Sequence, residues 1–266
     1  MSGVAEVLAK TRTQGRAALV GYLPVGFPDV PGSMDAMVAM VEAGVDIVEI
    51  GVPYTDPLMD GPVIAHAADV ALQNGARLKD VFTAVRAVAE AGAPALVMTY
   101  WNPVLRYGVD RFAEDLAKAG GAGLITPDLI PDEGAEWMAA AERNDLDHIF
   151  LVAPSSTPQR LRSTALACTG FVYAASSMGV TGARASVGDA AQVLVARTRL
   201  MTDLPVCVGL GVSTGDQAAQ VAAFADGVIV GSALVRCLND TGSPAEGLIS
   251  IRELSADLAA GVRRGR

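Results

Sequence analysis

The sequence alternates eight times between a short apolar run and a longer stretch with helical spacing. Buried parallel strands are continuously apolar, and strand–helix alternation is typical of a parallel sheet. We predict strands at residues 18–22, 47–50, 95–99, 123–126, 148–151, 171–174, 206–208 and 227–230. The helical stretches between them include residues 34–43, 79–91, 111–119, 134–143, 159–167, 189–198 and 216–223.

Eight such units favour a closed (β/α)8 barrel, the TIM barrel. An open doubly wound sheet would show the same local pattern, but no G-x-G-x-x-G motif follows the first run. A barrel of this kind takes about 250 residues, so the 266-residue chain is predicted to be one domain over residues 1–266. We expect an extra N-terminal helix at residues 4–11 to close the bottom of the barrel. A last helix is predicted at residues 244–260, followed by a disordered tail that contains Arg263, Arg264 and Arg266.

Charge and cysteine content narrow the function classes. The net charge of −9 argues against nucleic-acid binding, which requires basic patches. Cys168, Cys207 and Cys237 are widely spaced, which predicts reduced thiols rather than disulfides or a zinc site. No signal peptide and no membrane span are expected, so a cytoplasmic location is predicted. We expect no metal and no cofactor on this chain.

A carboxylate lies on the second predicted strand. Because side chains alternate along a strand, Glu49 shares a face with Ile47, and Val48 shares the other face with Ile50. The apolar pair suits the helix layer, which directs Glu49 into the barrel near its C-terminal rim. Burial there would raise its pKa towards neutral pH and suit it to proton transfer. A structural Glu bonded to backbone amides or a distant Arg is the alternative.

The loop after the second strand carries two more acidic residues, Asp56 and Asp60. Gly51, Pro53 and Pro57 mark the segment as a loop, and a helix is expected to start at Pro62. Active sites of (β/α)8 barrels are built from such loops. Asp60 is therefore a candidate second proton-transfer group, although a solvated loop carboxylate or a helix cap would also fit.

Glycine-rich turns follow the last three predicted strands, at residues 176–182, 209–213 and 231–232. Turns after strands 7 and 8 of this fold, with a helix N-terminus, commonly bind phosphate through backbone N–H groups. The negative net charge makes backbone amides the expected source of local positive potential. The longer turn after strand 6 is predicted to act as a lid.

Several of these segments resemble the tryptophan synthase α subunit family along nearly the whole chain. They are residues 49–62 (EIGVPYTDPLMDGP), 98–103 (MTYWNP), 127–131 (PDLIP), 179–182 (GVTG) and 209–213 (GLGVS). The resemblance implies a lyase that cleaves indole-3-glycerol phosphate to indole and glyceraldehyde 3-phosphate by retro-aldol chemistry, without a cofactor.

The resemblance also implies roles for individual residues. Glu49 matches the general acid/base that protonates indole C3 and takes the hydroxyl proton as the carbon–carbon bond breaks. Asp60 matches the loop carboxylate that binds the indole N–H. Expected substrate-binding positions are Tyr22, Tyr173, Thr181, Gly182, Gly211, Gly231 and Ser232. Met98 matches part of an apolar wall, for which core packing is an equal explanation.

A partner is implied only by the resemblance. The family works as an αββα complex in which indole passes to a β subunit that carries pyridoxal phosphate. Asp56, Asn102 and Pro103 match the contact region for that subunit.

Other barrel enzymes that bind phosphates are the competing hypotheses. Indole-glycerol-phosphate synthase needs a strand Lys, which no predicted strand provides, and ribulose-phosphate epimerase needs metal-binding His residues, of which the chain has 2 in all. Phosphoribosylanthranilate isomerase uses a Cys at a strand end, whereas Cys207 lies mid-strand. A non-catalytic barrel that activates a β-like partner would have no need of Glu49 and Asp60.

Overall fold

A computed structural model of the protein describes residues 3–176, 189–239 and 242–265. Its parallel strands close into a barrel in the order β1 to β8. The strands are β1 Ala18–Pro24, β2 Ile47–Gly51, β3 Ala95–Met98, β4 Gly123–Thr126, β5 Asp147–Val152, β6 Val172–Ala175, β7 Val206–Gly209 and β8 Gly227–Val230. The prediction of a closed barrel is confirmed, and each predicted strand overlaps an observed one.

Helices surround the barrel. In the described part of the chain they are α1 Gly3–Thr13, α2 Val30–Glu42, α3 Pro62–Gln73, α4 Leu78–Glu90, α5 Trp101–Tyr107, α6 Val109–Lys118, α7 Ala135–Arg143, α8 Pro158–Ala167, α9 Asp189–Arg199, α10 Gly215–Ala222, α11 Ser232–Asn239 and α12 Pro244–Arg264. Helix α3 begins at Pro62 as predicted. Proline is favoured there because its missing N–H would have no partner in the first turn.

Two local predictions differ from the structure. Helix α5 was not predicted, since it is short and carries Pro103; proline is tolerated there because it lies in the first turn. The prediction of a disordered tail was wrong for Arg263 and Arg264, because α12 continues to Arg264. Val262 stays buried against the core, and the Arg264 guanidinium lies 2.7 Å from the Asp216 carboxylate.

The lower half of the barrel, at the N-terminal ends of the strands, is filled with apolar side chains. Helix α1 contributes Val4 and Leu8, which belong to the same buried cluster as Ile47, Leu96 and Phe171 from the barrel. The predicted N-terminal helix therefore closes the bottom of the barrel. A second cluster packs the outer faces of the strands against the helices.

Candidate active site

A cavity of about 410 Å³ opens at the C-terminal ends of the strands. This is the end at which (β/α)8 barrels carry their active sites. Seven predicted site residues line it: Tyr22, Glu49, Asp60, Tyr173, Gly211, Gly231 and Ser232. Thr181 and Gly182 lie outside the described residues.

Glu49 is fully buried on β2, inside the barrel, beside Tyr22 of β1 in the strand register. Neither of its carboxylate oxygens has a hydrogen-bond partner within the described residues. Burial raises the pKa of Glu49 to about 8. The carboxyl group is therefore protonated at neutral pH. Its pKa lies near the working pH, which favours both giving and taking a proton. The alternative of a Glu bonded to backbone amides or an Arg finds no support in these contacts.

Asp60 lies on the loop between β2 and α3, at the mouth of the same cavity. Burial raises its pKa, and a hydrogen bond from the Tyr100 hydroxyl to Asp60 Oδ1, at 3.2 Å, acts in the opposite direction. Gly61 occupies the N-cap position of α3. Asp60 is thus not the cap of that helix, and its carboxylate is available to a ligand in the cavity.

Two tyrosines that line the cavity, Tyr22 and Tyr173, each pack closely against a glycine. A Cβ added to Gly51 would lie 2.2 Å from the Tyr22 hydroxyl oxygen, and one added to Gly209 would lie 2.7 Å from the Tyr173 hydroxyl oxygen. Any side chain at either glycine would therefore displace the ring that faces it. Burial, followed by the nearby carboxylates, raises the pKa of both phenols, so both are neutral.

The turns after β7 and β8 form another part of the cavity wall. Gly211 has a φ of +75°, a left-handed conformation that favours glycine. Gly231 precedes α11, whose first residue is Ser232, and both residues line the cavity. The N–H groups in the first turn of this helix, which have no partner within the helix, therefore lie at the cavity. No Lys or Arg is found among the described residues that line the cavity. Backbone amides are thus the positive groups offered to an anion.

The predicted partner-contact residues lie on the rim and do not line the cavity. Asp56 and Asn102 are exposed and Pro103 is half-buried. The Asn102 amide donates to the Tyr54 hydroxyl at 3.1 Å, which joins the loop after β2 to α5.

Several cavity residues were missed or left open by the sequence analysis. Met98, which could have been core, lines the cavity with Leu151 and Ile64. Tyr100, which donates a hydrogen bond to Asp60, was not predicted to be a site residue. The signal that could have found Leu151 and Tyr100 is their position at the ends of β5 and β3.

The described residues form neither a metal site nor a membrane-spanning helix. They contain no group of three or more His, Cys, Asp or Glu side chains placed to hold a metal ion. No helix in the ranges covered by the structure is long and apolar enough to cross a membrane. Cys168, Cys207 and Cys237 are buried, and none of them forms a disulfide.

Comparison with known proteins decides the family. The family model described as "Tryptophan synthase alpha chain" matches residues 8–262. The chain belongs to this family. Tryptophan synthase alpha chains of Mycolicibacterium paratuberculosis and Mycobacterium tuberculosis are 62% and 61% identical to it, over 99% of this chain and 95% and 96% of theirs.

Solved structures of the tryptophan synthase alpha chain family agree with this assignment. A chain of M. tuberculosis tryptophan synthase in its open form is 57% identical, with a TM-score of 0.91 and 99% coverage of both chains. The tryptophan synthase subunit alpha of Legionella pneumophila is 28% identical, with a TM-score of 0.88 and 98% coverage of both chains.

The tryptophan synthase alpha chain is the lyase subunit of its enzyme. The chain cleaves indole-3-glycerol phosphate to indole and glyceraldehyde 3-phosphate, a step of tryptophan biosynthesis. The family works in a complex with a β subunit. The competing barrel enzymes and the non-catalytic barrel are therefore excluded.

Proposed function

We propose that Glu49 and Asp60 carry the acid–base chemistry of the lyase reaction. The observation that supports this most strongly is the state of Glu49: fully buried, without a hydrogen-bond partner in the described residues, and with its pKa raised to about 8. A carboxyl group in this state donates a proton at neutral pH and can recover it within the same turnover.

The reaction then runs in two proton transfers at one group. Protonated Glu49 gives its proton to indole C3, and the indole ring thereby becomes positively charged. The resulting carboxylate takes the proton of the hydroxyl on the adjacent glycerol carbon. As the carbon–carbon bond breaks, its electron pair returns to the ring, and the hydroxyl carbon becomes the aldehyde of glyceraldehyde 3-phosphate. Glu49 ends protonated, ready for the next substrate.

Asp60 acts on the other side of the ring. Its carboxylate accepts a hydrogen bond from the indole N–H and stabilises the positive charge that develops when C3 is protonated. For this role it must be ionised, whereas Glu49 must start protonated. The two environments support that division, since burial acts alone on the pKa of Glu49, whereas the Tyr100 hydrogen bond partly offsets the effect of burial on the pKa of Asp60.

The remaining cavity residues hold the substrate. Gly211, Gly231 and Ser232 bind the phosphate through backbone N–H groups and the N-terminus of α11. Tyr22 and Tyr173 border the indole, against the apolar wall that includes Met98 and Leu151. We assign Thr181 and Gly182, outside the described residues, to the lid and the phosphate site.

The rim around the cavity mouth supports a docking surface for the β subunit. Leu58, Leu105 and Ile130, on the segments after β2, β3 and β4, are exposed by 77%, 53% and 40%. Asp56, Asn102 and Pro103 lie on the same segments. We propose that this rim binds the β subunit in an αββα complex, so that indole passes from the cavity to pyridoxal phosphate on the partner. We also propose that the chain acts as one domain over residues 1–266, in the cytoplasm.

The roles of Glu49 and Asp60 are tested by indole release from indole-3-glycerol phosphate with the purified full chain. Glu49→Gln keeps size and removes proton transfer, and Asp60→Asn keeps size and removes the negative charge that stabilises the protonated ring, so each should lower kcat by about 10²-fold or more. Asp147→Asn is the matched control, because Asp147 is a buried carboxylate at the opposite end of the barrel. Turnover by Glu49→Gln close to wild type would refute the assignment.

The rim proposal is tested by titrating the chain with a tryptophan synthase β subunit and measuring the mass of the complex. Leu58→Glu should weaken binding by at least about tenfold, because it places a charge in an apolar contact. Leu200→Glu is the control, since Leu200 is 81% exposed but lies before β7, at the other end of the barrel. Equal binding by both variants would place the β subunit elsewhere.

A further inference from the structure

Tyr100 lies between the barrel and the loop that carries Asp60. It lies two residues after the end of β3 and occupies the N-cap position of α5. Its side chain is largely buried, with 5% of the residue exposed, and its ring lies 5.5 Å from the Tyr54 ring. The ring is therefore fixed by the barrel end and the helix start, whereas Leu58 and Met59 beside Asp60 are exposed by 77% and 52%.

The hydroxyl of Tyr100 makes two hydrogen bonds to this loop. It accepts a hydrogen bond from the backbone N–H of Met59 at 3.0 Å and donates one to Asp60 Oδ1 at 3.2 Å. A hydroxyl has one proton, so accepting from Met59 leaves that proton free to point to Asp60. The pair of bonds fixes both the backbone just before Asp60 and the orientation of its carboxylate.

We propose that Tyr100 is a positioning residue for the lyase reaction, which holds the Asp60 carboxylate over the cavity and orients it towards the indole N–H. This inference rests on the role proposed above for Asp60. Tyr100 acts through Asp60 and is not itself proposed to contact the reacting atoms.

The electrostatics agree with the geometry. Burial raises the pKa of Asp60, and the Tyr100 hydrogen bond lowers it. Among the described residues, the other titratable groups that line the cavity are Tyr22 of β1, Glu49 of β2 and Tyr173 of β6, and burial raises the pKa of each, so that none is charged at pH 7. Without the Tyr100 hydroxyl, burial acts unopposed, and the carboxylate ionises only at higher pH.

The test compares Tyr100→Phe with wild type in full pH profiles of kcat/KM for indole release. Tyr100→Phe keeps the ring against Tyr54 and removes only the hydroxyl. We expect kcat/KM at pH 7 to fall by about tenfold, as for loss of a hydrogen bond to a charged group. The acid limb of the profile should move to higher pH.

Tyr107→Phe is the matched control, because the Tyr107 hydroxyl donates to the Asp115 carboxylate at 2.6 Å, away from the cavity. This variant also removes a hydrogen bond from a tyrosine hydroxyl to a carboxylate, but at the other end of α5. We expect its pH profile to coincide with that of wild type.

Asp60→Asn separates failure of this inference from failure of the proposed function. If Asp60→Asn is nearly inactive but Tyr100→Phe matches wild type, Tyr100 has no positioning role and the function of Asp60 stands. If Tyr100→Phe loses activity without a shifted acid limb, its effect is structural and the inference is overturned. If Asp60→Asn is fully active, the role of Asp60 fails and the inference fails with it.

Discussion

The two halves of the barrel interior are built by the same strands but differ in what they hold. Below, apolar side chains pack with α1; above, two residues further along most of the strands, the residues line the cavity, and Ile229 contributes to both layers. The strand pairs, lower residue first, are Ile47 and Glu49, Leu96 and Met98, Ile149 and Leu151, Phe171 and Tyr173, Cys207 and Gly209, and Ile229 and Gly231.

This difference shows how the fold separates stability from chemistry. Side chains at i and i+2 face the same side of a strand, so one strand supplies both layers. The lower layer holds the barrel closed, and the upper layer can then keep an unpaired carboxyl group that disfavours folding when ionised. We expect substitutions in the lower layer to change stability and those in the upper layer to change turnover.

The largest effect on stability is expected for Phe171→Ala in the lower half. Phe171 is fully buried, and its truncation leaves a cavity, so the free energy of unfolding should fall by about 3–5 kcal/mol. Urea unfolding measures this. The kinetic constants per folded molecule should match those of wild type, and a large rise in KM would mean that the two layers are not independent.

Glu49→Gln should have a smaller, pH-dependent effect on stability. The folded-state pKa of Glu49 is about 8, raised from 4.5, so its contribution to stability is complete below pH 4.5 and is lost as pH rises through 8. From pH 5 to pH 7 wild type should lose about 2–3 kcal/mol relative to Glu49→Gln. Urea midpoints of the two proteins at each pH provide the comparison, and parallel curves would show that Glu49 is ionised in the folded chain.

Gly211→Ala is expected to have the smallest effect on stability, about 1 kcal/mol, because a side chain is strained at its φ of +75°. It should also raise KM for indole-3-glycerol phosphate, since the turn lies against the proposed phosphate site. Gly92→Ala is the control: its φ is +91° with open space around it, and it lines no part of the cavity. The same rise in KM in both variants would remove Gly211 from the phosphate site.

The sequence predicted which strand residues face the barrel interior better than it predicted the side-chain contacts within the site. Strand periodicity and apolar runs determine which residues face the barrel, so the inward position of Glu49 could be predicted from local pattern. Closure of the barrel needed more, namely the number of strand–helix units and the absence of a G-x-G-x-x-G motif after the first strand. The hydrogen bond between Tyr100 and Asp60 joins residues 40 positions apart, and the lack of partners for Glu49 depends on every neighbouring strand. Neither is encoded in a local pattern. The roles of Asp60 and the tyrosines came from family resemblance rather than from periodicity.

The central claim is that burial in the upper barrel keeps Glu49 protonated near neutral pH. The most direct test is infrared spectroscopy of the free protein across pH 5–9, with Glu49→Gln as the reference that identifies the Glu49 carboxyl band. We predict a protonated carboxyl band, absent from Glu49→Gln, that disappears with a midpoint at about pH 8. A Glu49 carboxyl group already ionised at pH 6 would contradict the account.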